Sequence, residues 1–442
     1  MGNTLPSRPL PVGAFPLPFG FLLLPPGADT EPVRECLLAG RLPERWPGAL
    51  RGHEAVLADD LDAAAEAFAG PDPVSRFNRF VLDPEAVDAT VLRADLGAEL
   101  GVLVDLVEFA LGRSDTAPDP ADRQGEIKAL LLAAVAVERL DSPPVPLQVI
   151  PNGGVAPPTG SADSSSATGL LRSAITEARP VSPALAGVLH GALAQACRRE
   201  GDPAGAVSAL QAGIALLTGT DLTVALAEQY LELAAIFHEL AANADATDPT
   251  GMGPGMLNQA VQHYHNALQA VSADGASKDS APEVWAAAHA GLATAYLTLP
   301  MNEASDQLRL GVAVGSLRAA LTVYTRETHP AEWSSAQLNL ANALVYAPSK
   351  HQGDNLTEAV ELYEAVLGAR SRDTDPVGYA RALANQGNAL AHLGMFDHAR
   401  AKLAEARFLF EEAQDWTATS SVRGLLNDLT RTQEEAKAAA DA

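Results

Sequence analysis

Two pairs of asparagines at the same spacing are the side chains of this sequence best suited to hold a ligand. Asn339 and Asn342 lie three residues apart, and Asn385 and Asn388 repeat that spacing 46 residues later. Residues three apart share one face of a helix, and a carboxamide both donates and accepts hydrogen bonds. Such a face could bind the backbone of a ligand. Alternatively, each asparagine could bridge to the adjacent repeat and satisfy buried backbone groups, and the spacing leaves both interpretations open.

Histidines are numerous but do not form a metal site at a familiar spacing. His263 and His265 are two residues apart, which places them on different sides of a helix. His392 and His398 flank a turn, but no cysteine or carboxylate completes a set of ligands. The sequence also lacks the GxSxG, P-loop and HExxH motifs. We therefore expect no catalytic residues, no metal and no cofactor, and a protein that is not an enzyme.

The asparagines belong to a motif that recurs along the chain. The sequence "HPAEWSSAQLNLANAL" (329–344) is echoed by "DPVGYARALANQGNAL" (375–390) and, upstream, by "APEVWAAAHAGLATAY" (281–296). At the upstream positions equivalent to the asparagines stand Gly291 and Thr294. An asparagine-lined site is therefore confined to the last two or three repeats.

Each copy of the motif predicts the first helix of a helical hairpin. Trp285, Trp333 and Tyr379 occupy equivalent positions, where a large ring would pack between neighbouring hairpins. The second helices are predicted at 203–217, 257–271, 311–325, 356–370 and 396–410. A small residue recurs in each of them and would let two helices approach closely, at Ala206, Ala260, Ala313, Ala359 and Ala399.

These residues resemble the tetratricopeptide repeat (TPR) family. The segment "LANQGNALAHLGMFDHARAKLAEARFLFEEA" (383–413), with a turn at Gly394, resembles a near-standard unit, and "REGDPAGAVSALQAGIAL" (199–216) resembles the turn and second helix of another. The longer period of 46–48 residues is similar to the extended repeats of bacterial multidomain signalling proteins. The resemblance covers about 183–425 well and 31–141 only weakly.

The resemblance implies an all-α fold, a right-handed superhelix of antiparallel helical hairpins (a TPR-like solenoid) with a helical N-terminal region. In the family, the first-helix face lines a concave groove that binds a peptide or protein. The resemblance thus implies partner contacts, which we predict at Asn339, Asn342, Asn385, Asn388 and Arg381.

Composition changes along the chain predict five segments. The predicted order is a Pro-rich extended segment at 1–30, a helical region with divergent repeats at 31–141, a Pro/Gly/Ser-rich connector at 142–165, the repeat array at 166–415, and a capping helix with a tail at 416–442. Within the second segment, the Asp83–Pro84 start and a stop at Gly112 predict helical structure.

The N-terminal segment carries apolar residues on an extended, polyproline-like ribbon, namely Phe15, Phe19, Phe21 and Leu22–Leu24. Because such a strip is costly to expose, we expect it to lie across the protein's own helices. Docking onto a partner or onto a second copy of the chain is the other interpretation.

Charge and cysteine usage limit the partners and the compartment. The formal net charge is −25, which argues against binding to nucleic acid or to an anionic membrane surface. Prolines interrupt the apolar N-terminal stretch, and no segment is long and apolar enough to insert in a membrane. Cys36 and Cys197 form no recognised motif, so a reducing cytoplasm is expected, with Cys197 in the core.

These observations lead to one main function and two alternatives. The main prediction is a non-enzymatic adaptor or assembly factor that binds a protein or peptide partner in the groove. The first alternative is a structural scaffold subunit of an obligate homo- or hetero-oligomer. The second is a catalytic or ligand-sensing domain within residues 31–141.

Overall fold

The computed structural model describes residues 22–58, 60–141, 166–243, 252–272, 281–300, 306–347 and 349–440. Within these ranges all regular secondary structure is helical. It consists of α-helices and one short 3-10 helix at Gly48–Leu50, with no strand. The helices are α1 (Glu31–Leu38), α2 (Arg51–Leu57), α3 (Leu61–Ala67), α4 (Pro73–Leu82), α5 (Ala89–Leu100), α6 (Val102–Ala110), α7 (Gly125–Asp141), α8 (Ala167–Ala178), α9 (Pro183–Arg199), α10 (Pro203–Leu217), α11 (Thr223–Asn243), α12 (Met252–Ser272), α13 (Pro282–Thr298), α14 (Asp306–Ala320), α15 (Pro330–Tyr346), α16 (Gln352–Leu367), α17 (Pro376–His392), α18 (Phe396–Glu412) and α19 (Trp416–Ala440).

The chain divides into two compact units. Unit 1 consists of Met1–Ile236 and Asn266–Ala281, and unit 2 of Phe237–His265 and Pro282–Ala442. The predicted connector 142–165 lies outside the described residues. Helices α7 and α8, on either side of it, pack together, and the Lys128 ammonium lies 2.8 Å from a Glu177 carboxylate oxygen. The predicted segment boundaries stay predictions.

Local sequence explains where many helices begin. Asp72, Ser182, Asp202 and Asp375 are each followed by proline, and each side chain accepts a hydrogen bond from the backbone N–H three residues later. Proline at the first helical position lacks an N–H group, but the helix would leave that group unpaired in any case. The oxygen of the capping side chain accepts from a second N–H group of the first turn. This pairing fixes the N-termini of α4, α9, α10 and α17.

In unit 2, consecutive helices pack as stacked hairpins, which confirms the all-α hairpin fold. Helices α13, α15, α17 and α19 form one layer, here called the first-helix layer, and each contacts the next one along that layer. Helices α14, α16 and α18 form the second-helix layer. Three residues join α17 to α18, and Gly394 among them adopts a φ of 75°, which suits glycine in a tight helix turn.

The small residues predicted for the second helices are completely buried, as close packing of two helices would require. Ala206, Ala260, Ala313, Ala359 and Ala399 are all 0% exposed.

The large aromatic rings predicted to pack between hairpins do so. Trp285 of α13 and Trp333 of α15 both pack on the cluster formed by Ala286, Ala320 and Tyr324, while Tyr379 packs on the core around α17 and α18. The prediction of ring packing between hairpins is confirmed.

The core of unit 1 includes the end of the N-terminal segment. Leu22 and Leu23 are 0% and 4% exposed. The Leu23 N–H donates to Asn78 Oδ1 at 2.7 Å, and Asn78 Nδ2 donates to the Leu23 carbonyl at 2.8 Å. His53 Nε2 lies 3.0 Å from the same carbonyl, and burial lowers the pKa of His53 to about 4. Leu22–Leu24 therefore lie on the protein's own helices, as expected, whereas Phe15, Phe19 and Phe21 are outside the described residues.

The predicted helical stretch from Asp83 to Gly112 is wrong in its start and in its continuity. The Asp83 carboxylate accepts the N–H of Glu85 in a turn, and Asp88 is the N-cap of α5. Gly97 then interrupts the helix with a φ of 72° and a ψ of −176°. The stretch is helical as α5 and α6, with an interruption inside α5.

Two further expectations concern cysteine and the membrane. Cys197 is 1% exposed, which confirms its place in the core. Across the described residues, no helix combines the length and the apolar character needed to cross a bilayer.

Candidate functional site

Twelve residues at matching positions of α13, α15 and α17 form the candidate site, which we call the polar stripe. They recur at intervals of four, three and four residues along each helix, a spacing that keeps them on one face. The polar stripe consists of Ala287, Gly291, Thr294 and Thr298 on α13, Ser335, Asn339, Asn342 and Tyr346 on α15, and Arg381, Asn385, Asn388 and His392 on α17. Every one of them is half-buried or exposed.

The asparagines of the polar stripe bridge successive first helices. Asn339 Nδ2 donates to Thr294 Oγ1 at 3.3 Å, which joins α15 to α13. Asn385 Nδ2 donates to Asn342 Oδ1 at 2.9 Å, which joins α17 to α15. Asn388 Nδ2 lies 3.4 Å from the Tyr346 hydroxyl, a longer contact between the same two helices. These contacts are bridges to the adjacent repeat, but they join side chains and do not satisfy buried backbone groups. Binding to a partner stays a prediction.

Asn342 is fixed from beneath by a buried tyrosine of the second-helix layer. The Tyr363 hydroxyl donates to Asn342 Oδ1 at 2.7 Å, and Tyr363 is 1% exposed. Burial, with a smaller effect of nearby Tyr346, raises the pKa of Tyr363 well above its usual range, so the hydroxyl remains a donor. Both lone pairs of Asn342 Oδ1 are therefore occupied, one by Tyr363 and one by Asn385.

The other three asparagines keep their carbonyl oxygens. For Asn339, Asn385 and Asn388, no donor among the described residues reaches the side-chain oxygen. Because the amide hydrogens are held by the neighbouring helix, these oxygens are oriented acceptors on a partly exposed surface. They can accept hydrogen bonds from the N–H groups of a bound segment.

Charge on the polar stripe differs from that of the whole chain. The chain has 55 Asp and Glu residues against 30 Lys and Arg residues, yet none of the twelve stripe residues is acidic. Arg381 is exposed and forms no ion pair within the described part of the chain. The stripe can therefore accept neutral groups along its length and one anionic group near Arg381.

Sequence reasoning missed the partners that hold the asparagines. Tyr363 and Tyr346 gave no signal beyond their helical spacing. Gly291, in contrast, has a clear reason to lack a side chain, because a Cβ placed there would lie 2.3 Å from the Tyr264 ring. That ring fills the position at which the next two repeats carry an asparagine.

Of the histidines considered for a metal site, His263 and His265 contact aromatic side chains, and His392 and His398 are exposed. His263 stacks on Phe237 with a ring-centroid distance of 5.6 Å, and His265 Nε2 lies 3.1 Å from the Tyr296 hydroxyl. Within the described ranges, no three His, Cys, Asp or Glu side chains converge as metal ligands would.

The fold and the polar stripe together define a helical-hairpin repeat protein. No protein-family model and no curated protein matches the chain. Among solved structures, BtubC (BKLC) from P. vanneervenii is similar at 19% identity over 56% of this chain and 91% of that chain, with a TM-score of 0.39. A monomeric mutant of IFIT1 with m7Gppp-AAAA is similar at 11% identity over 86% of this chain and 80% of that chain, with a TM-score of 0.37. Likenesses this weak assign no function.

Proposed function

We propose that this protein is a non-enzymatic cytoplasmic adaptor or assembly factor, and that the polar stripe binds an extended segment of a protein partner. The observation that supports this function is the set of three carbonyl oxygens, on Asn339, Asn385 and Asn388, that no described donor reaches. An extended segment presents backbone N–H groups that helices and sheets would otherwise use.

The charge of the stripe favours a protein segment over nucleic acid. A nucleic-acid backbone requires several cations to replace its counterions, and the stripe offers one arginine, Arg381. A segment with neutral side chains and one carboxylate near Arg381 matches the stripe. The partner we propose is therefore a neutral or mildly acidic protein segment.

The proposal is tested with variants that leave the interior unchanged. Arg381→Ala/Asn388→Ala removes the exposed cation and the most weakly bridged asparagine. Arg318→Ala/Asn355→Ala is the control, because it removes the same two residue types from the second-helix layer, at α14 and α16, together with the ion pair of Arg318 with Glu358. We expect co-purification of the partner to be lost with the stripe variant and retained with the control.

A crosslinker identifies the surface that is in contact with the partner. A photoreactive residue at Ser335, which is exposed on the stripe, should capture the partner, and one at Thr357, which is exposed on α16, should not. Equal capture at both positions, or equal co-purification by both double variants, would refute binding at the stripe.

The scaffold alternative is supported by an exposed face of α14. Leu308 and Val312 are 73% and 37% exposed, and Gly311 and Gly315 beside them have no heavy atom within 4 Å of an added Cβ. A helix could approach this face closely. Leu308→Glu/Val312→Glu should convert a stable oligomer to a smaller species in sedimentation velocity, and an unchanged sedimentation coefficient would exclude this face from assembly.

A further inference from the structure

Unit 1 contains an open cavity that the proposed adaptor function does not use. Its volume is about 780 Å³, and it lies between α5, α6 and the segment 114–123 that precedes α7. Cavities of this order commonly hold small molecules. All residues that line it are described by the structure.

The break in α5 opens this cavity. Gly97 adopts a backbone conformation that is open essentially to glycine alone, and no heavy atom lies within 4 Å of the position its Cβ would take. Ala94 and Ala98 flank it, and both are exposed. Together these three residues give the cavity a floor of small, apolar groups.

One of the two arginines of the cavity is paired with two carboxylates. Arg93 Nε donates to Asp105 Oδ1 at 2.8 Å, and Arg93 Nη2 donates to Glu108 Oε2 at 3.0 Å. This arginine and its two carboxylates form an ion-pair cluster along α5 and α6. Arg93 is therefore not available to a ligand.

The other arginine, Arg123, has no counter-ion among the described residues. Its Nε is buried and has no acceptor, and within the described part of the chain no carboxylate pairs with its guanidinium. Asp119 lines the same cavity, and its carboxylate accepts a hydrogen bond from the Ala121 N–H at 2.8 Å. An unpaired donor of a charged group is costly when it is removed from water.

The shape and charge of the cavity select the anion. A guanidinium presents two parallel N–H groups that match the two oxygens of a carboxylate. Asp105 and Asp119 also line the cavity, and they would repel a phosphate dianion about twice as strongly as a monocarboxylate. The floor around Gly97 suits an apolar body without polar substituents.

We propose that this cavity binds a small organic monocarboxylate, with its carboxylate on Arg123 and its apolar body on the floor formed by Ala94, Gly97 and Ala98. This site lies in unit 1 and does not depend on the polar stripe of unit 2.

The test uses the full chain and a pair of probes that differ in charge. In low salt, ¹⁹F line broadening of 4-fluorobenzoate is compared with that of 4-fluorobenzamide, a neutral molecule of nearly the same shape. We expect saturable broadening of the carboxylate, and at least tenfold weaker binding of the amide. Inorganic phosphate should not displace 4-fluorobenzoate at equal concentration.

Three variants place the binding at the cavity. Arg123→Gln should weaken 4-fluorobenzoate binding at least tenfold, and Ala98→Leu should weaken it by filling the floor with charges unchanged. Arg51→Gln is the matched control, because Arg51 is exposed elsewhere in unit 1, and this variant should bind as the wild type does. Circular dichroism confirms that all three variants are folded.

Several results would overturn the proposal. Equal binding of the acid and the amide, or no saturable binding of either, would show that Arg123 does not select a carboxylate. Wild-type affinity in Arg123→Gln or in Ala98→Leu would place the binding elsewhere on the protein. Equal losses in Arg51→Gln and Arg123→Gln would reveal a general effect of charge.

Discussion

Replacement of Glu126 by glutamine should change how the stability of unit 1 depends on pH. Ionisation of Glu126 lowers that stability, whereas ionisation of most carboxylates raises it. Glu126 is 4% exposed near the start of α7, and a carboxylate oxygen lies 3.9 Å from the Arg34 guanidinium. Burial raises the pKa of Glu126 to about 7, and the charge of Arg34 opposes that rise only in part. The carboxyl is therefore harder to ionise in the folded chain than in the unfolded chain.

The sign and the magnitude follow from this difference. Between pH 4.5 and about 7 the unfolded state has released the Glu126 proton and the folded state has not, so stability falls as pH rises through this window. At about 1.4 kcal/mol for each tenfold change in acidity, the loss approaches about 3 kcal/mol above pH 7. Glu126→Gln removes the ionisable group, so it should match the wild type near pH 4 and exceed its stability by about 3 kcal/mol at pH 8.

The assay must report on unit 1 alone. Trp46 is the tryptophan of unit 1, while Trp285, Trp333 and Trp416 belong to unit 2. Labelling with 5-fluorotryptophan therefore lets ¹⁹F NMR follow the urea unfolding of unit 1 at each pH, and Trp46→Phe assigns the resonance. All other titrating groups are common to both proteins, so the difference in the free energy of unfolding isolates Glu126.

A matched control uses the same arginine and the same substitution. Glu31 also pairs with Arg34, at 3.4 Å, but its side chain is 58% exposed. Glu31→Gln should shift stability by about 1 kcal/mol or less, because exposed ion pairs contribute little. A Glu126→Gln advantage that is absent at pH 8, or equal at pH 4 and pH 8, would refute the claim that burial governs this carboxyl.

Two further predictions concern unit 2. Tyr363→Phe should destabilise the protein by about 1 kcal/mol, because it removes one neutral hydrogen bond and leaves Asn342 Oδ1 with its second donor; urea unfolding measures the loss, and no loss would show that the buried hydroxyl does not support Asn342. Gly291→Ala should destabilise by about 1–3 kcal/mol because its Cβ would enter the Tyr264 ring, whereas Gly424→Ala, with no heavy atom within 4 Å of the new Cβ, should stabilise by about 0.5–1 kcal/mol. Thermal unfolding of the two glycine variants compares them directly, and effects of the same sign would contradict the packing described here.

The repeat array could be predicted because its constraints are local and periodic. An alanine recurs once in each hairpin, and Ala313, Ala359 and Ala399 are completely buried. Helix lengths differ more from the prediction. The second helix that was predicted to reach residue 325 ends at Ala320. Tyr324, which follows it, packs in the cluster beside Trp285 and Trp333.

Contacts that join distant parts of unit 1 could not be predicted. Asn78 holds the backbone of Leu23 across 55 residues, with no repeat or motif to indicate it. The break at Gly97 also escaped prediction, because a glycine inside an apolar periodic stretch is compatible with a continuous helix. Its φ of 72° interrupts α5 beside the cavity that Arg123 lines.

Bridging and binding, the two interpretations of the asparagines, are compatible at the level of single atoms. In each bridge an amide N–H group is the donor: Asn339 donates to Thr294, and Asn385 donates to Asn342. The side-chain carbonyl oxygen of the donor asparagine takes no part in the bridge. A side chain already held in one orientation loses little further conformational freedom when it binds. The bridges therefore favour binding at the polar stripe, and a variant that breaks a bridge should lose affinity even where the carbonyl oxygen that contacts the partner is retained.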